Sequence, residues 1–157
     1  MDKLKELTLG EKIIVAAGVV LLIDSFLPWY SIDISIFHYS RNGWQAPNSF
    51  LSLFAILLGI AMAAQVLVSR LGVAQMPDRL GSLGWGMVHL IAGGVAFLFV
   101  LLKWLNNTDW TAFGLYLGLL STAALAFGGF LVAKERGDLP ATRGPAAGPG
   151  APGGPPV

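Results

Sequence analysis

The chain has 157 residues, of which 55% are hydrophobic and 12% are charged, and its mean hydropathy is +0.68. Since a soluble domain carries about 25% charged residues, this composition predicts a membrane protein. The net charge of +1 gives no electrostatic basis for binding nucleic acid. The absence of cysteine excludes disulfides, thiolate metal sites and cysteine nucleophiles. Neither histidine has carboxylates clustered near it in the sequence, so we expect no metal and no other cofactor.

Four apolar runs are long enough to cross a bilayer, which takes roughly 20 residues of helix. In chain order they cover residues 13–32, 49–69, 82–104 and 111–133. They predict an all-α integral membrane fold in which residues 1–136 form a transmembrane four-helix bundle. A capping box made by Thr8 and Glu11 predicts the start of the first helix.

The loop between the first two runs predicts a small hairpin. The segment "SIDISIF" (Ser31–Phe37) alternates polar and apolar residues, which is typical of a short strand. The dipeptide Asn42-Gly43 follows it, and this dipeptide favours hairpin turns. We therefore expect a hairpin-like cap on the outer membrane surface, with a short second strand after the turn.

The last segment, residues 137–157, differs in composition from the rest of the chain. It holds six prolines and six glycines and has little apolar surface to offset the entropy cost of ordering. It is predicted to be a disordered cytoplasmic tail.

Basic residues near the ends of the spans predict the orientation, because they concentrate on the cytoplasmic side. Eight lie on the side that holds both termini: Lys3, Lys5, Lys12, Arg70, Arg79, Lys134, Arg136 and Arg143. Only Arg41 and Lys103 lie on the other side. A multi-pass protein of the plasma membrane with both termini in the cytoplasm is expected. Four of the five tryptophans and one tyrosine then fall at the outer interface and are interpreted as membrane anchors: Trp29, Tyr30, Trp44, Trp104 and Trp110.

The fourth span carries small residues at helical spacing on one face. They are Gly114, Gly118, Thr122 and Gly129, with Leu125 on the same face. Small residues allow helix backbones to approach closely inside lipid. This face is predicted to meet the other spans within one bundle, and the alternative is a homo-oligomer seam on the fourth span.

One carboxylate, Asp24, lies within the apolar run "LLIDSFLPWYSID". A charged side chain at that depth costs about 2–3 kcal/mol unless it is paired or neutral. Lys103 lies near the same end of the third span, within reach of a lysine side chain, so we predict an Asp24–Lys103 pair. His89 is expected about 22 Å below the outer belt, too deep to reach Asp24, and to bond a backbone group or a hydroxyl.

Three segments together carry a family resemblance: "GEKIIVAAGVVLLIDSFLPWYSI" (10–32), "GWQAPNSFLSLFAILLGIA" (43–61) and "GLYLGLLSTAALAFGGFLVAKE" (114–135). They resemble small four-span integral membrane proteins of actinobacteria and related bacteria, a family without an assigned activity. The resemblance implies a topology and no catalytic residues.

No catalytic motif stands out, because the chain lacks the nucleophile elbow, the metalloprotease, the P-loop and the dinucleotide-binding patterns. The first hypothesis is a non-enzymatic membrane protein that packs with or organises other membrane proteins. The second is a small transporter or channel subunit that uses Asp24 and His89 within the membrane.

Overall fold

The computed structural model describes residues 5–45, 48–77 and 79–139, and this part of the chain is mostly helical. In chain order its elements are α1 (Leu9–Asp24), β1 (Pro28–Ile34), β2 (Phe37–Asn42), α2 (Ser49–Leu71), β3 (Arg79–Leu80), β4 (Leu83–Gly84), α3 (Trp85–Asn106) and α4 (Phe113–Arg136). Residues 140–157, most of the predicted tail, lie outside the described residues, so its predicted disorder stays a prediction.

Three of the helices, α2, α3 and α4, are long and apolar enough to cross a membrane. They have 23, 22 and 24 residues. At 1.5 Å per residue each spans about 33–36 Å, which exceeds a hydrocarbon core of about 30 Å. The predicted runs 49–69, 82–104 and 111–133 are therefore helical, although α3 begins at Trp85 because Ser82 lies in the turn of the small β3–β4 hairpin.

The end predicted for the first helix was wrong. The run 13–32 was expected to be one helix, but α1 ends at Asp24 and has 16 residues, about 24 Å of helix. Two short-range backbone bonds, from the Phe26 amide to Ile23 O and from the Leu27 amide to Asp24 O, close its last turn. Pro28 has no backbone N–H to donate to a further helical hydrogen bond, and it begins β1. The predicted capping box at the other end is confirmed, with both of its hydrogen bonds present.

The predicted hairpin is present, but its turn was misplaced. β1 and β2 pair antiparallel from Pro28–Asn42 to Ile34–Phe37, so the turn is made by Ser35 and Ile36, with Ser35 at φ 45°. Asn42-Gly43 instead ends the hairpin. There the Trp44 amide donates to Asn42 Oδ1 and the Gly43 amide donates to Ser25 O, which directs the chain back toward the helices.

The helices contact one another in a closed ring, in which α1 packs on α2 and α4, and α3 packs on α2 and α4. Strand β1 also packs on α4. We call the end of the molecule that holds Asp24, the β1–β2 hairpin and residues 107–112 the hairpin end. The opposite end, which holds Thr8 and Arg136, is called the tail end.

The small-residue face of α4 has two kinds of neighbour. Gly129 lies against the backbone of His89 on α3, as expected for helix packing, since a Cβ there would lie 2.5 Å from His89 O. Gly114 and Gly118 instead lie against the hairpin, where added Cβ atoms would come within 2.6–2.8 Å of Pro28 and Trp29. Half of the predicted face therefore receives β1 and not another helix.

Candidate functional site

Buried polar side chains lie at both ends of the molecule, and Asp24 is the most unusual of them. It is fully buried at the end of α1, and neither carboxylate oxygen has a hydrogen-bond partner among the described residues. A Cβ at Gly118 would lie 2.9 Å from Asp24 Oδ2 and 2.8 Å from the Trp29 ring, so the carboxylate is enclosed by α4 and this indole. The Trp29 indole N–H donates to the backbone oxygen of Asp24 at 3.0 Å and leaves the carboxylate unbonded.

Lys103, near the end of α3, is also fully buried. Its ammonium donates to Ser52 Oγ at 2.7 Å and, more weakly, to Gln45 O at 3.4 Å. It also lies 5.6 Å from the ring centroids of Trp29 and Tyr30, within the range of a cation–π contact. Lys103 thus joins α3 to α2, to the segment after the hairpin and to β1.

Tyr30 completes this arrangement from the hairpin. Its hydroxyl donates to the backbone oxygen of Lys103 at 3.2 Å. Burial raises the pKa of Tyr30 to about 12, so the hydroxyl keeps the proton that it donates at any physiological pH. The bond ties β1 to the last turn of α3.

The predicted Asp24–Lys103 pair does not form. Both side chains lie at the hairpin end, as expected, and the Trp29 ring lies against both. Lys103 bonds Ser52 and Gln45 instead of the Asp24 carboxylate. Trp29 was interpreted as an exposed membrane anchor, and that interpretation was also wrong because the side chain is fully buried. The backbone of Trp29 lies in β1, and this strand packs on the helices so that the indole is directed inward.

His89 lies near the start of α3, at the tail end and far from Asp24. His89 lies beside Gly129 and Asp24 lies beside Gly118. These glycines are eleven residues apart on α4, so the two positions are separated by about 16 Å along the helix axis. His89 Nε2 lies 2.7 Å from Gln65 Oε1, so its partner is a side-chain amide and not the expected backbone group or hydroxyl. Its Nδ1 is buried and has no hydrogen-bond partner in the described part of the chain.

A cluster of three charges at the tail end was missed in the sequence. Glu11 is almost fully buried and accepts two 3.0 Å hydrogen bonds from Arg70 and one 3.2 Å bond from Arg136. These bonds connect α1 to the ends of α2 and α4. The sequence contains a signal for this cluster, because a carboxylate and two arginines lie at the same end of the predicted spans. The same residues also serve as a helix cap and as predictors of orientation, which hides their pairing.

A cleft of about 490 Å³ opens at the hairpin end. It is lined by Tyr30, Ile32, Tyr39, Arg41, Asn106, Asn107, Thr108, Asp109 and Trp110. Its two walls are the β1–β2 hairpin and the connection between α3 and α4. Backbone bonds from the Ser31 amide to Trp110 O (2.9 Å) and from the Ala112 amide to Trp29 O (2.8 Å) hold the walls together.

No three His, Asp or Glu side chains within residues 5–45, 48–77 and 79–139 come together in a way that could hold a metal ion. The chain matches no protein-family model, no curated protein and no solved structure.

Proposed function

We propose that this chain is a four-span protein of the plasma membrane with both termini in the cytoplasm, as its resemblance to small four-span bacterial membrane proteins implies. Three helices of sufficient length support the membrane assignment. The shorter α1 packs beside them and leaves apolar side chains exposed along its outer face, including Val19 and Ile23. The excess of basic residues at the tail end supports the orientation.

Single cysteines can test this topology cleanly, because the chain has none of its own. We expect Ser35→Cys, in the turn of the hairpin, to react with a membrane-impermeant maleimide on intact cells. Lys134→Cys, in the last turn of α4, should react only after the cells are opened. Reaction of Lys134→Cys on intact cells would contradict the orientation.

We further propose that the protein is non-enzymatic and that it packs with or organises other membrane proteins through the hairpin. The observation that carries this proposal is the apolar tip of the hairpin. Ile36 is 87% exposed and Phe37 is 72% exposed, and Ile34 is exposed beside them. Contiguous exposed apolar groups mark sites of interaction with a protein or a membrane.

The base of the hairpin is held in a defined position, which limits where the tip can lie and suits a docking element. Trp29 lies against Gly114 and Gly118 on α4, and Tyr30 pairs with Thr111 in an isolated β-bridge. A tip that is pre-positioned loses less conformational entropy when it binds a partner.

A photo-crosslinking residue at position 36 tests this role in native membranes. We expect one discrete protein adduct, and we expect Phe37→Asp to abolish it while membrane insertion is unchanged. The same residue at position 73, which is also exposed but lies after α2 at the tail end, is the matched control. Adducts to lipid alone would contradict a protein-organising role.

A second candidate, a small transporter or channel subunit that uses Asp24 and His89, is favoured by the unpartnered carboxylate of Asp24. The interior between the two residues argues against it. Leu125 is fully buried there, and the Thr122 hydroxyl is bonded to backbone oxygens of its own helix. Flux in liposomes that contain only this chain, lost in Asp24→Asn, would favour the transporter.

A further inference from the structure

The cleft at the hairpin end combines groups of opposite charge with aromatic rings. Arg41 supplies a guanidinium, Asp109 a carboxylate, and Tyr30, Tyr39 and Trp110 supply rings. Its volume of about 490 Å³ is within the usual range of about 300–1,000 Å³ for small-molecule sites. The chemistry fits a ligand that carries both a negative and a positive group.

The cleft is formed before any ligand arrives, because both of its walls are fixed. The backbone bonds of Ser31 and Ala112 hold the α3–α4 connection against β1. Trp110, which lines the cleft, has φ 64°, a left-handed conformation that is unfavourable for a bulky residue. Strained backbone of this kind concentrates at ligand-binding positions. The guanidinium of Arg41 lies 5.0 Å from the Tyr39 ring centroid, which orients it at the cleft wall.

The cleft also adjoins a surface that is suited to lipid chains. On α3, Leu98, Leu102 and Leu105 are all exposed and lie on one face at spacings of four and three. This stripe leads directly to Asn106, the first cleft residue after it in the chain. A lipid with its acyl chains along the stripe would place its headgroup at the cleft.

We propose that the cleft binds the headgroup of a phospholipid that carries a primary ammonium, of the ethanolamine type. The Arg41 guanidinium binds the phosphate through charge-assisted hydrogen bonds. The Asp109 carboxylate accepts hydrogen bonds from the ammonium, which also lies against the Trp110 ring. A choline headgroup has no N–H to donate, and a glycerol headgroup has no positive charge. The proposal rests on the proposed topology only in assigning this lipid to the outer leaflet.

The test uses the full chain purified in detergent and incubated with equal amounts of three phospholipids that share the same acyl chains: ethanolamine, choline and glycerol headgroups. Native mass spectrometry counts the lipids retained. We expect the ethanolamine lipid to be retained about tenfold over the other two, a factor near the lower end of what one charge-assisted hydrogen bond contributes. Soluble glycerophosphoethanolamine should not displace it. Displacement at a comparable concentration would instead make a free headgroup compound the ligand and overturn the lipid proposal.

Two variants separate the roles of the charges. Arg41→Gln should reduce retention of all three lipids, since all carry a phosphate. Asp109→Asn should lower retention of the ethanolamine lipid to the level of the glycerol lipid and leave retention of the glycerol lipid unchanged. The matched controls are Arg79→Gln, at the tail end, and Asp33→Asn, on the hairpin outside the cleft, which should both behave as wild type.

Equal retention of the three lipids by the wild-type chain, or variants at Arg41 and Asp109 that match their controls, would overturn the proposal. Maleimide labelling of Ser35→Cys on intact cells is an independent readout. If the topology is reversed and the lipid preference is intact, the assignment of the lipid to the outer leaflet is wrong and the binding site in the cleft still stands.

Discussion

Lys103 Nζ donates a 2.7 Å hydrogen bond to Ser52 Oγ, and both residues are fully buried. The described part of the chain places no carboxylate within ion-pair distance of this ammonium. The ammonium is stabilised instead by neutral groups: a hydroxyl, a backbone carbonyl and the faces of two aromatic rings. The hydroxyl lies on α2, the carbonyl follows the hairpin and both rings lie on β1, so these contacts connect α2, α3 and the hairpin.

Ser52→Ala should lower the free energy of unfolding by about 1–3 kcal/mol, because it removes the closest acceptor of a buried ammonium. Adding Lys103→Met should recover much of this loss, since an apolar side chain of similar length has no donors left unpaired. Denaturant titration in detergent of the wild type, both single variants and the double variant measures the coupling. Strictly additive losses would show that the 2.7 Å contact contributes nothing.

Two adjacent glycines on α3 should respond oppositely to the same substitution. A Cβ at Gly93 would lie 2.7 Å from backbone atoms of Ala126 on α4, whereas a Cβ at Gly94 would meet nothing within 4 Å. Gly93→Ala should therefore cost about 1–3 kcal/mol through separation of the helices. Gly94→Ala should be neutral or stabilising by up to about 1 kcal/mol, since alanine favours helix.

The thermal unfolding midpoint of each glycine variant in the same detergent checks this prediction. Gly129→Ala provides a second test of the α3–α4 contact, because its Cβ would lie 2.5 Å from His89 O. Equal midpoints for the Gly93 and Gly94 variants would mean that α3 and α4 are farther apart than described.

Glu11→Gln should destabilise the tail end. The variant loses the charge that accepts hydrogen bonds from Arg70 and Arg136, and about a third of each arginine is exposed, so we expect about 1–3 kcal/mol and not the larger cost of a fully buried pair. Glu6→Gln, at an exposed position, is the matched control and should be neutral. Protease sensitivity near Arg70 and Arg136 should rise together with the loss of stability.

Asp24→Asn makes the same chemical change at another buried position, and the opposite sign is expected. Its carboxylate has no hydrogen bond to lose within the described structure, so the variant exchanges the cost of burying a group able to carry charge for the smaller cost of burying a neutral amide. The unfolding midpoint should stay the same or rise. A fall as large as that of Glu11→Gln would reveal a partner of the Asp24 carboxylate that the structure does not show.

Hydropathy was sufficient to predict the three long helices, because each is a predominantly apolar stretch of more than 20 residues. It could not locate the end of α1, because the apolar character continues through Phe26, Leu27 and Trp29 after the helix has ended. The signals for the change from helix to strand are local. They are Pro28, which lacks a backbone N–H, and the alternation of polar and apolar residues after it. These signals indicate a strand, but they extend over only a few residues, whereas the apolar stretch that predicts a span is much longer.

The polar sites were harder to predict, because they depend on which side chain fills the space between two others. Asp24 and Lys103 lie at the same end, as their distances from the span ends predict, but nothing in those distances shows that Trp29 lies against both. The Asn42-Gly43 turn shows the same limit. The dipeptide does make a tight turn, but the tertiary contacts of Gly43 with Ser25 and Trp29 decide which segments the turn connects.

The position of Trp29 against α4 has a consequence for biosynthesis. The indole leaves the ribosome with the first helix, but Gly114 and Gly118, which complete its surroundings, are synthesised only with the last one. Until α4 enters the bilayer, a large aromatic group and the neighbouring carboxylate of Asp24 have no protein on that side. The packing around Trp29 can therefore be completed only after α4 has been synthesised, and a chain truncated before residue 114 would leave this side of the indole uncovered.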